Sequence, residues 1–167
     1  MPQNIINQLE AALGETVTLL SSFNEKELNT VPFEGSWTAA QVGRHLYKSE
    51  DGMDQLMEAS TEPANRQPDE RAAEFKRLFL DYTLKMKSPD FILPEDREYD
   101  KSELVTSLED VKDKMLKVTQ IADLTYIAPL PDAHPLKGST KLEIVHFLTY
   151  HTMRHNHQLQ KIKEALA

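Results

Sequence analysis

Residues 140–166 carry an apolar stripe that only a helix can gather on one side. Ile144, Leu148, Leu159 and Ile162 recur at helical spacing, and His151 and His155 fill the gap between them on the same stripe. Side chains four residues apart stand one above the other on a helix, so the two imidazoles share the face that packs inward. Such a pair is a natural chelate for a divalent metal. His146 and His157 lie more than about 100° round the helix from His151 and are expected to face elsewhere. The competing reading is two half-buried histidines that donate to backbone carbonyls. A third ligand on a neighbouring helix would separate the two.

The rest of the chain also reads as helix. Five glycines in 167 residues, no alternating strand pattern and no internal repeat point to an all-α fold in one domain spanning 1–167. A first helix is expected over about 5–23, with Ile6, Leu9, Leu13, Val17 and Leu20 as its stripe; Gly14 inside it suits a closely packed neighbour. Leu28, Val31 and Phe33 are the expected packing anchors of the connection that follows. Thr38 and Gln41 have capping-box spacing and open a second helix running to about Ala59. Its inward stripe reads Val42, His45, Leu46, Ser49, Gly52, Met53 and Leu56, where the small Ser49 and Gly52 leave space beside His45.

A helix over about 70–86 uses Ala73, Phe75, Leu78, Phe79 and Tyr82, and the proline-containing stretch after it is expected to tuck Phe91, Ile92 and Leu93 under the bundle. Asp100 and Glu103 begin a helix through about Ile121, with Leu104, Leu108, Val111, Met115 and Val118 inward. Thr140 and Glu143 form the capping box of the last helix. Four long helices plus a shorter one in the second crossover, with long connections, indicate a four-helix bundle that is not simply up-and-down.

His45 is the third ligand candidate. Alone on an apolar face it reads as a core histidine. Beside the last helix it meets His151 and His155, and three neutral imidazoles with an open fourth position describe a catalytic rather than a closed structural site. Such ligation suits zinc, nickel, cobalt, iron or copper. Thr152 stands where a zincin has its glutamate, so HExxH chemistry is excluded.

Three stretches carry a resemblance to a known family: Ser36-Trp37-Thr38 through His45-Leu46, then His134-Pro135-Leu136-Lys137-Gly138, then His151 through Gln158-Leu159. Over nearly its whole length the chain resembles the DinB/YfiT-like family of metal-dependent enzymes. The resemblance implies a bundle of up-down-down-up course, a divalent ion (zinc or nickel) on His45, His151 and His155, and a homodimer. Members of the family with known activities include thiol-dependent transferases and isomerases that use a low-molecular-weight thiol such as bacillithiol or mycothiol. Gln158 is a candidate to orient a ligand from behind by a hydrogen bond. Trp37 reads as a packing anchor, His134 as a turn residue, and Arg154 as the partner of an acidic neighbour.

Composition narrows the functions. A net charge of -8 without a basic cluster argues against nucleic acid and anionic membranes. With no cysteine, any thiol chemistry takes its sulfur from a small molecule. Residues 1–4 open no signal segment and no window approaches a membrane span, so a soluble cytoplasmic protein is expected. Three functions remain. One is a metal-dependent thiol transferase or hydrolase acting on a small molecule, another a non-enzymatic metal- or ligand-binding bundle. The third is a helical interaction module whose histidines are core fillers.

Overall fold

The computed structural model describes residues 2–167. Its helices are α1 (Pro2–Ser22), α2 (Glu25–Leu28), α3 (Ala39–Glu50), α4 (Met53–Glu58), α5 (Ala72–Phe79), α6 (Lys101–Thr119) and α7 (Lys141–Leu166), with a 3₁₀ turn at Asp90–Ile92. Among the described residues no strand forms; two isolated antiparallel bridges, Pro63 with Tyr126 and Ile127 with Thr140, tie loops together. The fold is all-helical, as the periodicity predicts.

Three helices pack on the last one. α1, α3 and α5 lie against α7, while α6 packs on α1, α3 and α4. Ile144, Leu148, Leu159 and Ile162 are all buried, and so are the expected α6 residues Leu104, Leu108, Val111, Met115 and Val118. Each such side chain contributes about 2 kcal/mol by leaving water. Both capping boxes form. Thr140 Oγ1 accepts from the Glu143 N–H at 3.1 Å, and Glu143 Oε1 accepts from the Thr140 N–H at 2.9 Å; Thr38 and Gln41 pair in the same way. The buried Glu143 carboxylate also receives both Nη atoms of Arg66, at 2.8 and 2.6 Å, and so pins the loop before α5 to the start of α7.

Several expectations need correction. The second helix ends at Glu50 rather than Ala59, because Gly52 adopts φ 84°, a left-handed conformation that interrupts the helical run. Gly52 is therefore exposed, and Met57 takes the inward role. The close-packing glycine is Gly43, where an added Cβ would stand 2.9 Å from Leu20 Cδ1. α5 stops at Phe79, because Asp81 accepts from the Thr83 N–H at 3.1 Å in a local turn that competes with helix. Tyr82 is left outside as a result. Of the apolar triplet only Ile92 is buried, with Phe91 59% and Leu93 37% exposed, since a single 3₁₀ turn spreads neighbouring side chains to different sides. Leu28 anchors its connection, but Val31 and Phe33 face solvent, and α6 ends before the exposed Ile121.

Gly14 does not meet a close neighbour. A Cβ built there meets no described atom within 4 Å. Gly14→Ala should therefore raise stability by about 0.5–1 kcal/mol through helix propensity alone, read as a higher urea midpoint. A lower midpoint would contradict the open space beside it.

Candidate metal centre

α3 delivers His45 and α7 delivers His151 and His155 to one point. Each histidine offers a nitrogen to a group whose members all lie within 4.8 Å of one another. The His45 and His151 Nε2 atoms are 3.1 Å apart. Two imidazole nitrogens on one tetrahedral zinc lie roughly 3.3 Å apart. His45 and His151 are buried, and His155 forms the more exposed edge of the group.

Hydrogen bonds fix two of the tautomers. His45 Nδ1 lies 2.9 Å from the Ile92 carbonyl, which can only accept, so the proton is on Nδ1 and Nε2 carries a lone pair. His155 Nδ1 lies 2.7 Å from Gln158 Oε1, with the same consequence. His151 Nδ1 is buried without a partner. The Ile92 carbonyl is itself held in place. Glu95 accepts from Arg44 Nε at 3.0 Å and pairs with Lys48 Nζ at 2.7 Å, and Lys48 also donates to the Leu93 carbonyl at 2.8 Å. One face of α3 therefore grips the segment that orients its own histidine.

Burial keeps all three rings neutral. Desolvation lowers His45, lowers His151 well below the ordinary histidine value, and takes His155 down to about 3; the neighbouring imidazoles push both α7 histidines further. Lone pairs gathered in a place that resists a proton are a donor set suited to a divalent cation. The group can hold a metal ion.

A model of the DinB superfamily matches residues 8–159. The chain belongs to the DinB superfamily. The matched span contains His45, His151, His155 and Gln158. No curated protein and no solved structure matches the chain significantly.

Other residues of this DinB-superfamily chain sort clearly around the group. Trp37 packs in the core as expected and also lies against two of the rings, 5.1 Å from His45 and 6.5 Å from His155 between centroids. His134 is a turn residue: its Nδ1 accepts from the Leu136 N–H at 3.0 Å. His146 meets the Tyr150 hydroxyl and His157 stacks on Tyr82, so neither joins the trio. Arg154 does not seek an acidic side chain; its guanidinium binds the carbonyls of Phe79, Asp81 and Leu84 and holds the end of α5 on α7.

Three features escaped the sequence reading. Phe147 stacks on His151 with centroids 5.1 Å apart, one helical turn before it, a spacing that could have been read. The Ile92 carbonyl is a backbone group with no sequence signal. Glu50 is a buried acid at the end of α3; burial pushes its carboxyl up to about 8, with the Thr152 hydroxyl 3.5 Å away.

These shifts set the pH dependence of the metal-free protein. The unfolded histidines bind protons that the folded ones refuse, so stability is lost as pH falls from about 6.5 toward 3. Glu50 works oppositely: it stays protonated when folded, so stability falls as pH rises from 4.5 toward 8. Urea midpoints measured in chelator should peak near pH 6.5, and Glu50→Gln should flatten the alkaline decline. An unchanged alkaline decline in that variant would contradict the assignment.

Proposed function

We propose that the protein is a metalloenzyme that holds one divalent ion, zinc or nickel, on His45, His151 and His155, and that it acts as a thiol-dependent S-transferase or hydrolase. The observation that carries this reading is the convergence of three neutral imidazoles, two of them with Nδ1 anchored so that Nε2 is free for a ligand bond. A divalent ion bound there supplies Lewis acidity, which favours the deprotonated form of a thiol or water in the open position.

The chain's own residues do the rest. Ile92 and Gln158 orient His45 and His155 from behind, which fixes the rings and raises their basicity. Phe79 and Phe147 lie against His151 and keep bulk water from that side. Because the chain has no cysteine, the sulfur belongs to a separate low-molecular-weight thiol, which gives its proton to solvent. Its thiolate forms a C–S bond to the electrophilic carbon of a small-molecule substrate as that carbon's bond to its leaving group breaks, and the leaving group departs with the electron pair. The reading takes α1, α3, α6 and α7 as an up-down-down-up four-helix bundle in one domain, supported by the packing of α7 on α1 and α3. It also takes the protein as a cytoplasmic homodimer. No helix among the described residues is long and apolar enough to cross a membrane. The alternative is a bundle that binds metal or ligand without turnover.

A panel of electrophiles offered with a low-molecular-weight thiol to zinc- or nickel-loaded protein should reveal turnover. His151→Ala should abolish turnover while leaving the helical circular dichroism intact, and unaltered activity in that variant would exclude the mechanism. Gln158→Ala should weaken zinc affinity by about tenfold in competition with a chelating dye. Equal affinity would remove the orienting role.

A further inference from the structure

A cleft of about 340 Å³ leads from the surface to His151 and His155. Phe75, Phe79, Phe91 and Phe147 line it, four of the protein's six phenylalanines, so its walls are chiefly aromatic and apolar. Its charges run against the rest of the molecule. The chain carries 27 acidic side chains against 19 basic ones, yet no aspartate or glutamate lines the cleft, whereas Arg154 and Lys87 do. Arg154 spends its bonds to Phe79, Asp81 and Leu84 on Nη1 and Nη2, which leaves Nε–H and one Nη2 hydrogen without a protein partner among the described residues. The histidines at the inner end are neutral, so an ion held on them would keep its positive charge uncompensated by the protein and add to the same field.

We propose that this cleft binds a small aromatic anion, with its ring between Phe79, Phe147 and Phe91 and its negative group beside Arg154 and Lys87. Aromatic walls supply apolar burial and ring-on-ring contact, and the two cations fix orientation and select charge. The cleft has room for a bicyclic ring system. Binding needs no metal; only the further step, that this anion is the substrate, rests on the metalloenzyme reading.

The test is calorimetric titration of the full chain, metal-free and zinc-loaded, with naphthalene-2-sulfonate and with its neutral counterpart naphthalene-2-methanol. Saturable one-to-one binding is expected, tighter for the sulfonate by about fivefold, the worth of one nearby charge. Lys87→Glu should remove that advantage without changing the neutral compound. Phe91→Ser should weaken both ligands, and Ile121→Ser, on an exposed site outside the cleft, should weaken neither. Lys87, Phe91 and Ile121 are all exposed, so these variants keep the fold. No saturable binding, equal affinity for the two ligands, or sulfonate affinity unchanged in Lys87→Glu would overturn the proposal. Sulfonate binding to a protein that takes up no metal would keep the cleft and remove the metalloenzyme reading. Metal uptake without sulfonate binding would do the reverse.

Discussion

The constraint on which this molecule turns is the removal of three imidazoles from water at one place between α3 and α7. Burying a titratable ring is unfavourable unless it stays neutral and its polar atoms find partners. His45 and His155 meet that requirement through the Ile92 carbonyl and Gln158, whereas His151 leaves a ring nitrogen unmatched. A fold that only needed to fill space would place leucines there at lower cost. Keeping three histidines together, with two of their tautomers fixed, makes sense for a cation.

Several polar contacts outside the trio hold irregular backbone against the two helices that carry it. Glu95, gripped by Arg44 and Lys48, fastens the 3₁₀ turn to α3 and so aims the Ile92 carbonyl. Arg154 fastens the end of α5 to α7. Glu143, which caps α7, also receives Arg66 and seals the loop before α5. Each of these staples links a long loop to a helix within reach of the site. The cleft walls combine Phe75, Phe79 and Phe147 of α5 and α7 with loop and 3₁₀-turn residues such as Lys87, Phe91 and Pro135.

The helices and the three histidines were legible in the sequence because both follow the 3.6-residue period. Val118 or Ile162 could be placed inward from spacing alone, and His45, His151 and His155 were chosen from the same stripes. What could not be read was set by contacts between distant residues. The break at Gly52 depends on one glycine adopting a left-handed conformation, which an apolar stripe running through it conceals. The early end of α5 comes from the Asp81 turn and the pull of Arg154, seventy-odd residues away. The exposure of Phe91 follows from a single 3₁₀ turn, whose pitch spreads a run that looks uniformly apolar. The cleft itself is assembled from five chain segments, and no local pattern announces it.

The most direct measurement is metal content by mass spectrometry on untagged protein, before and after equilibration with Zn²⁺ and Ni²⁺, beside His45→Ala and His151→Ala. Close to one ion per chain is expected in the wild type and loss in both variants, with helical circular dichroism retained. A wild-type protein that takes up no metal after equilibration would contradict it and leave the three histidines as core residues of an all-helical fold.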